Sequence, residues 1–509
     1  MIAGHGATAT GARATAIMAG MTDPASADGA TRVAPAHSTT RPQAHPSPDI
    51  ARPDVLVIGG GPGGSTIATL LARRGWRVTL LEKARHPRFH IGESLLPMNL
   101  PILERLGVLD QVREIGTFKP GAEFPVDDDN YNTFQFNRAL DAQFGYAYQV
   151  KREQFDRMLF GYARENGVDA REQITVDRVE FDADGRPSQV LARDADGAAL
   201  QFQPRYLVDA TGRDALLGRQ LKLKRKNPEH QSAAIFSHFT GVQRREGDDA
   251  GNITVQRFGH GWMWLIPLQD DVMSVGAVCF PEYLKQRRGD TEAFLLQSLQ
   301  SEPSVWRRMT HAKRVAPVHV TGNYSYTCQR MHGPGWLMVG DAFAFLDPVF
   351  SSGVYLAMNS AEQGAAVVDG ALREPAREAQ LQQAMERRHR RGMKHFSWFI
   401  YRFNTPVMQQ LFNSPRNLWK VEQAVISMLA GDVFDNREVL RRLRLFRLIY
   451  ALTALRMAPA ALRGWLQRRR QATVRFGEET LQPGAPADTQ TDARSDLDAD
   501  APAQTEPAS

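Results

Sequence analysis

Cysteine is scarce in this chain of 509 residues, in which Cys279 and Cys328 are the two thiols. Two cysteines without a C-x-x-C spacing argue against a disulfide framework and a cysteine-held metal cluster, so we predict no metal site and a reducing, cytoplasmic setting. No apolar run approaches the roughly 20 residues that a membrane span needs, and the N-terminal segment lacks the apolar core of a secretory signal. The net charge of +6 is spread along the chain, which argues against a nucleic-acid partner.

The residues that are present point first to a nucleotide. An apolar run at 55–58 predicts a buried parallel strand, and glycines spaced G-x-G-x-x-G follow it at Gly59, Gly61 and Gly64. The first glycine allows a tight turn, the second lets the backbone approach a pyrophosphate, and the third lets the next helix pack closely. A second predicted strand, 78–81, ends at Glu82, which we expect to accept hydrogen bonds from a ribose.

A second pattern downstream identifies the nucleotide as FAD rather than NAD. A predicted strand ends at Gly340–Asp341, and the segment 347–353 then opens a helix at about Gly353. We expect Asp341 to reach a ribityl hydroxyl and the helix start to direct N–H groups at the isoalloxazine ring. A third strand-to-glycine turn lies at 207–212. Separated segments that converge on one cofactor indicate one continuous domain with a second domain inserted in it.

We therefore predict an α/β fold: a FAD-binding Rossmann-like domain of the GR2 type, an inserted β-sheet substrate domain and a C-terminal helical region. In the substrate domain, β-leaning runs predict strands at 235–239, 253–258, 262–268 and 273–280. The predicted limits are a disordered N-terminal extension at 1–52, the first part of the FAD module at 53–220, the substrate domain at 221–330, the return segment of the FAD module at 331–370, the helical region at 371–475 and a disordered acidic tail at 476–509.

Five motifs together resemble those of the flavin-dependent halogenases, within the FAD-dependent monooxygenase superfamily. They are the glycine turn, I-G-E-S at 91–94, F-K-P-G-A-E-F at 118–124, W-x-W-x-I-P at 262–267 and F-L-D-P-V-F-S-S-G at 345–353. The tryptophan-halogenating branch carries a glutamate three residues before the last glycine, where this chain has Phe350. The resemblance is therefore to the branch that acts on phenols and pyrroles, often tethered to a carrier protein, and not to the tryptophan branch.

This resemblance implies an FADH2-dependent oxidoreductase that makes hypohalous acid from O2 and chloride or bromide. The acid would halogenate an electron-rich aromatic ring, a phenol or pyrrole, in secondary-metabolite or pigment biosynthesis. By its family position Lys119 is the catalytic lysine, which polarises the hypohalous acid or forms a haloamine. Residue chemistry alone would instead favour a surface lysine in a Lys-Pro-Gly turn. Glu93 is a second catalytic candidate, which positions halide or flavin or accepts a proton from Lys119; the alternative is a helix cap.

Other residues carry two interpretations each. Ser352 and Gly353 could bind halide through backbone N–H groups or simply cap a helix. Arg152 matches a position at which related flavoproteins hold the nucleotide, but a structural salt bridge is the alternative. His238 and His260 have no partner at a telling spacing, and we predict packed or loop histidines. The following residues resemble the wall between flavin and substrate, although their alternation is also that of an ordinary packed strand: Trp262, Trp264, Ile266 and Pro267.

The alternatives at the level of function are an FAD-dependent aromatic hydroxylase, a geranylgeranyl-reductase-like enzyme and a non-catalytic flavoprotein scaffold. Neither of the two enzymes accounts for Lys119 together with W-x-W-x-I-P, and a scaffold would bind FAD but incorporate no halide. No NAD(P)H site is evident in the sequence, so we expect a separate flavin reductase to supply FADH2. Arginines at 437–447 and 468–470 could dock an acidic acyl carrier protein or rest on a membrane surface; a solvated helix face is the alternative.

Overall fold

The computed structural model of this protein describes residues 50–127, 130–141, 143–227, 231–287, 289–322, 325–413 and 418–457. The predicted tail at 476–509 and residues 1–49 of the predicted N-terminal extension lie outside this range. Ile50 and Ala51, which we had assigned to that extension, form a short strand that pairs in parallel with Ala199–Phe202. The described helices are Pro62–Ala72, Leu100–Leu106, Leu109–Ile115, Arg152–Glu165, Leu216–Gln220, Pro281–Leu284, Thr291–Gln300, Pro303–Arg308, Gly353–Arg373, Glu378–Ile400, Pro406–Asn413, Val421–Leu429 and Arg437–Arg456.

The nucleotide sheet has six strands, and its four central strands are completely or almost completely apolar. Such strands are buried on both faces, which is the pattern of a parallel sheet covered by helices. Helix Pro62–Ala72 packs on helices Gly353–Arg373 and Arg152–Glu165. Five of the strands are parallel and the first is antiparallel. In spatial order the strands are His332–Gly333, Trp336–Met338, Tyr206–Asp209, Val55–Ile58, Val78–Leu81 and Asp169–Arg171.

The substrate sheet has eight strands, and four of them fall where the β-leaning runs predict them. Two further strands, Gly121–Pro125 and Tyr131–Gln135, come from the range assigned to the FAD module, so the chain enters this sheet twice. The domain limits stay a prediction. The remaining strands of the sheet are Ala233–Thr240, Ile253–Phe258, Gly261–Pro267, Met273–Cys279, Lys313–Arg314 and His319–Gly322.

The two faces of the substrate sheet belong to different cores. Trp262, Trp264 and Ile266 face the main hydrophobic core, whereas Met263 and Leu265 face a second, smaller core. This division follows from the strand period of two.

Three smaller sheets complete the β structure. A four-stranded sheet lies mostly within the range predicted for the FAD module. A three-stranded sheet includes strand Ala344–Phe345, at the start of the motif at 345–353, and a two-stranded sheet carries Lys119. Their strands, besides those already given, are Thr175–Phe181, Pro187–Arg193, Lys224–Lys226, Tyr326–Cys328, Ala344–Phe345, Gly116–Lys119 and Ala147–Val150.

The C-terminal region is helical as far as it is described. In its last helix, Arg437–Arg456, Arg441 and Arg444 are exposed, whereas Arg442 pairs with Glu438 at 2.6 Å. The arginines at 468–470 lie outside the described residues, and docking of a partner on this helix stays a prediction. Within the part of the chain that is described, no helix is long and apolar enough to cross a bilayer.

Candidate active site

One cavity of about 690 Å³ joins the separate motifs. Its wall includes the glycine turn, the end of the strand at Gly340–Asp341, the helix start at Ser352–Gly353 and three residues of the strand Gly261–Pro267. The convergence that the sequence predicts for one cofactor is therefore present, because the parallel strands end at one edge of the nucleotide sheet.

The glycine turn has the steric requirements expected of a nucleotide-binding loop. A Cβ on Gly59, whose φ is +106°, would lie 2.3 Å from the carbonyl oxygen of Ala210. A Cβ on Gly64 would lie 1.8 Å from the carbonyl oxygen of Gly59. Gly61 differs, since the nearest atom to its hypothetical Cβ is an Arg88 nitrogen at 3.8 Å. The backbone at Gly61 therefore borders the cavity, where a pyrophosphate can approach it.

Glu82 lies at the cavity wall and holds the glycine turn. Its Oε2 accepts a hydrogen bond from the Gly60 N–H at 2.7 Å, and its Oε1 accepts one from the Ala84 N–H at 2.9 Å. Its predicted contact with a ribose stays a prediction, but its position is the one that this role requires.

Arg152 forms the salt bridge that the sequence analysis gave as an alternative. Its Nε and one terminal nitrogen donate to the two oxygens of buried Asp156 at 2.8 and 3.0 Å, and its other terminal nitrogen donates to the Ile91 carbonyl at 2.9 Å. Burial alone would raise the pKa of Asp156, but Arg152 holds this pKa below its ordinary value. The arginine also lines the cavity, so a contact with the nucleotide stays a prediction.

Asp341 and the two residues at the helix start form one side of the cavity. Burial raises the pKa of Asp341 to about 6, against the opposing charges of Arg213, Arg152 and Lys224. Ser352 occupies the N-cap position of helix Gly353–Arg373, yet its side chain makes no capping hydrogen bond. A Cβ on Gly353 would meet open space. The backbone of this helix start is thus accessible from the cavity, which fits an anion or a flavin ring edge.

Lys119 is not a surface lysine. The residue is 1% exposed, and its Nζ donates to Ser94 Oγ and to the Leu95 carbonyl, both at 2.8 Å. The Phe136 ring lies 5.3 Å from the same nitrogen. Burial disfavours the charged form and lowers the pKa of Lys119 to about 7. Among the described residues, no carboxylate opposes this shift. Since Ser94 lines the cavity, the amine sits directly behind its wall.

The tryptophan motif forms a rigid part of the cavity wall. Trp262, Trp264 and Ile266 line the cavity and are almost completely buried. The Trp264 ring lies over Gly276, where a Cβ would come within 2.4 Å of it, and its Nε1 donates to Ser274 Oγ at 3.1 Å. Packing and barrier are therefore compatible roles for these rings. Pro267 ends the strand.

Two partnerships in the site were missed by the sequence analysis. Glu93 neither caps a helix nor contacts Lys119; its Oε1 bonds to Nε2 of His238 at 2.7 Å. His238 also packs edge-on against Phe89 at a centroid distance of 5.8 Å, as a packed histidine would, but the sequence did not reveal its carboxylate partner. Asp347, within the motif at 345–353, accepts a hydrogen bond from the Val349 N–H and another from the Trp262 side chain. The partners are far apart in the sequence, so no spacing signals either contact.

Other features bound the chemistry. Among the described residues, no group of three or more His, Cys, Asp or Glu side chains could hold a metal ion.

Phe350, which replaces the glutamate of the tryptophan branch, is buried with its ring centroid 5.6 Å from that of Phe403. An aromatic contact thus occupies the position where that branch places a carboxylate.

Comparison with known proteins relates this chain to FAD-binding proteins and halogenases. Residues 52–398 match the family model described as FAD binding domain. The chain is 37% identical over 392 residues to a tryptophan 2-halogenase of Chondromyces crocatus, a match that covers 75% of this chain and 74% of the relative. It is 28% identical to the 1H-pyrrole-2-carbonyl-[peptidyl-carrier protein] chlorinase of Pseudomonas fluorescens, with coverage of 77% and 92%.

A solved structure shows the same relationship in three dimensions. The myxobacterial chondrochloren halogenase CndH, a variant of the FAD-dependent halogenases, superimposes with a TM-score of 0.66 at 31% identity. The match covers 85% of this chain and 99% of CndH. These relatives differ in substrate. Fold, cavity and relatives agree at the level of the family: this chain belongs to the flavin-dependent halogenases, enzymes that bind FAD and use halide and O2 as co-substrates.

Proposed function

We propose that this halogenase transfers chlorine or bromine to an electron-rich aromatic ring, a phenol or a pyrrole, which is free or tethered to an acyl carrier protein. The observation that carries the proposal is Lys119, an amine buried directly behind the wall of the cavity that the flavin motifs and the tryptophan motif share. An amine of this kind can bind and polarise hypohalous acid, whereas a surface ammonium would remain solvated.

The residues of the cavity fit FAD on three counts. The glycine turn leaves room for a pyrophosphate where Gly61 has no side chain, Glu82 stands at the end of the second strand, and the helix start at Gly353 is open. Reduced FAD, when bound, supplies the electrons that convert O2 and halide into a halogenating oxidant. Ser352 and Gly353 would hold the halide through backbone N–H groups at this helix start.

The chain's own residues would then direct the oxidant. Trp262, Trp264 and Ile266 would keep the aromatic substrate apart from the flavin, because their rings and side chains are fixed by packing and by the Ser274 and Asp347 hydrogen bonds. Lys119 would receive the hypohalous acid, held in place by its bonds to Ser94 and Leu95. With a pKa of about 7, the amine is available in its neutral and its protonated form near neutral pH.

The substrate class is proposed from the residue at position 350 and from the relatives. Phe350 places an aromatic contact where the tryptophan branch has a glutamate, and one relative is a chlorinase of a carrier-bound pyrrole. Another relative is a tryptophan halogenase, which makes free tryptophan the substrate to test against this proposal.

The test is mass spectrometry after incubation with a flavin reductase, NADH, FAD, O2 and bromide. Resorcinol, a carrier-bound pyrrolyl thioester and free tryptophan are offered separately. We expect a bromine isotope pair on one of the first two substrates, and its loss in Lys119→Ala but not in Lys285→Ala, an exposed lysine. Bromination of tryptophan alone would overturn the substrate class. A product that carries an extra oxygen whether or not bromide is present would indicate a hydroxylase and overturn the role of the barrier.

A separate flavin reductase is part of the same proposal. Without one, the purified protein with NADH, FAD, O2 and bromide should give no product, and addition of reductase should start turnover. Turnover without the reductase would show that this chain reduces its own flavin.

A further inference from the structure

The strongest feature that the proposed function leaves unused is the pair formed by Glu93 and His238. Glu93 is 1% exposed and lines the cavity, and its Oε1 bonds to His238 Nε2 at 2.7 Å. Its second oxygen, Oε2, is buried and has no hydrogen-bond partner among the described residues. A buried carboxylate oxygen without a partner is costly, and such an atom in a functional cavity marks a site where a proton or a ligand is received.

His238 is the more exposed member of this pair. Its side chain is 16% exposed, so it is the member of the pair that reaches solvent. The strand register places His238 opposite Ser274, which in turn is opposite Ile266 of the barrier strand. His238 therefore lies on the cavity side of the substrate sheet, two strands from the tryptophan motif.

The charges around His238 favour its protonated form. Burial alone would lower its pKa, but the hydrogen bond and the charge of Glu93 raise it above the ordinary value, with Glu153 assisting and Lys151 opposing. The neighbouring His319 is stacked on Phe89 at a centroid distance of 4.0 Å, and burial together with the charge of His238 lowers its pKa. Of the two histidines, His238 is thus the one whose protonated form is favoured.

We propose that Glu93 and His238 form a proton relay that supplies protons from solvent to the flavin cavity. The inference rests on the halogenase activity, in which an aromatic C–H, a halide, O2 and reduced flavin give the halogenated ring, oxidised flavin and two water molecules, with uptake of one proton for each halide consumed.

In the relay, an N–H bond of the His238 imidazolium breaks and an O–H bond forms on Glu93. The carboxylic acid then gives this proton to an acceptor in the cavity, and the imidazole takes up another from solvent. No oxidant or reductant is needed, and the pair returns to its initial charge. Glu93 is the member of the pair that lines the cavity. His238 is a positioning residue that supplies the proton to Glu93.

The first test is independent of turnover and of bound flavin. NMR titration of labelled histidine in the ligand-free protein, with the His238 signal assigned from its loss in His238→Gln, should show a lower His238 midpoint in Glu93→Gln than in the wild type. An unchanged midpoint would show that Glu93 does not charge His238 and would overturn the relay.

The second test is the pH profile of bromide incorporation into resorcinol with a flavin reductase. His238→Gln keeps an N–H donor for Glu93 but cannot carry a proton, so the rate should fall about 100-fold on the acid side of the profile, the lower end of what a positioned proton donor contributes. FAD affinity should not change. His260→Gln, an exposed histidine stacked on Tyr283, should keep the wild-type profile.

The comparison between variants is needed because Lys119 also titrates near neutral pH. Superimposable profiles for His238→Gln and the wild type would overturn the proposal. The histidine titration still distinguishes this result from a failure of the proposed substrate, because it requires no substrate at all.

Discussion

Replacement of Lys119 by methionine tests the central feature of the site through the stability of the protein. Burial lowers the pKa of Lys119 from 10.5 to about 7. Between these two pH values the unfolded chain holds a proton that the native protein has released, so the stability of the wild type increases with pH in this window. The increase amounts to about 1.4 kcal/mol for each pH unit, or roughly 5 kcal/mol across the whole window. Below pH 7 both states are protonated and the contribution is constant.

The methionine variant lacks this pH-dependent contribution. Methionine is unbranched and adapts to the space of the lysine stem. It leaves Ser94 Oγ and the Leu95 carbonyl without their donor, which costs about 1–3 kcal/mol for each group at every pH. At any one pH, the effect of Lys119→Met on the free energy of unfolding therefore combines two opposing quantities, the contribution of the buried amine and the cost of the lost hydrogen bonds. The pH dependence of this effect comes from the amine alone.

The assay is urea unfolding of the ligand-free wild type and of Lys119→Met from pH 7.5 to pH 9.5, which spans about two units of the titration and hence about 3 kcal/mol. We expect the difference in free energy of unfolding to shift in favour of the wild type by this amount as the pH rises. Lys285→Met, a change at an exposed residue, should follow the wild type. Parallel curves for Lys119→Met and the wild type would refute a depressed pKa and, with it, the neutral amine.

Four further variants test residues in and around the cavity. Gly64→Ala should abolish FAD binding, measured by flavin fluorescence, because its Cβ would lie 1.8 Å from a carbonyl oxygen; Gly353→Ala, whose Cβ meets open space, should retain FAD and raise the bromide KM. Ser94→Ala removes one acceptor of Lys119 and, if the proposed role of this lysine holds, should lower kcat about 10-fold with an unchanged substrate KM, in steady-state bromination. Trp264→Ala should lower the free energy of unfolding by about 3–5 kcal/mol and add a hydroxylated product in mass spectrometry. Full FAD binding by Gly64→Ala, an unchanged kcat in Ser94→Ala, or an unchanged product in Trp264→Ala would each contradict the corresponding role.

Much of the fold was predictable because it follows from short-range rules. The strand Ile253–Phe258 has the predicted bounds, since β-leaning residues between turns specify it locally. The glycine turn was predictable because only glycine satisfies its sterics. Strands Gly121–Pro125 and Tyr131–Gln135 were not assigned to the substrate sheet, because their pairing depends on a register with distant strands that their own sequence does not encode.

The site was predictable where it depends on backbone and not where it depends on distant side chains. Glu82, Asp341 and Gly353 follow strand ends or begin a helix, so their places in the cavity could be read from local sequence. The pairing of Glu93 with His238 joins residues 145 positions apart. The burial of Lys119 depends on tertiary packing, and the residue chemistry of a Lys-Pro-Gly turn favoured the opposite.

The segment 93–95 explains how one site keeps two titratable systems apart. The segment is extended and pairs with the strand Ala147–Val150, through Val150 N–H to the Glu93 carbonyl at 2.7 Å and Leu95 N–H to the Tyr148 carbonyl at 3.0 Å. Neighbouring side chains on an extended segment point to opposite sides. Glu93 accordingly meets His238, while Ser94 meets Lys119.

The consequence is a division of charge within one cavity wall. On one side the buried amine has no carboxylate partner among the described residues, and burial lowers its pKa, which suits the proposed reception of an electrophilic oxidant. On the other side the Glu93 carboxylate raises the pKa of the His238 imidazole. If the carboxylate faced Lys119 instead, it would stabilise the ammonium and raise the pKa of the lysine. The alternation of two adjacent side chains therefore allows an amine with a lowered pKa and an imidazole with a raised pKa to lie in one cavity wall.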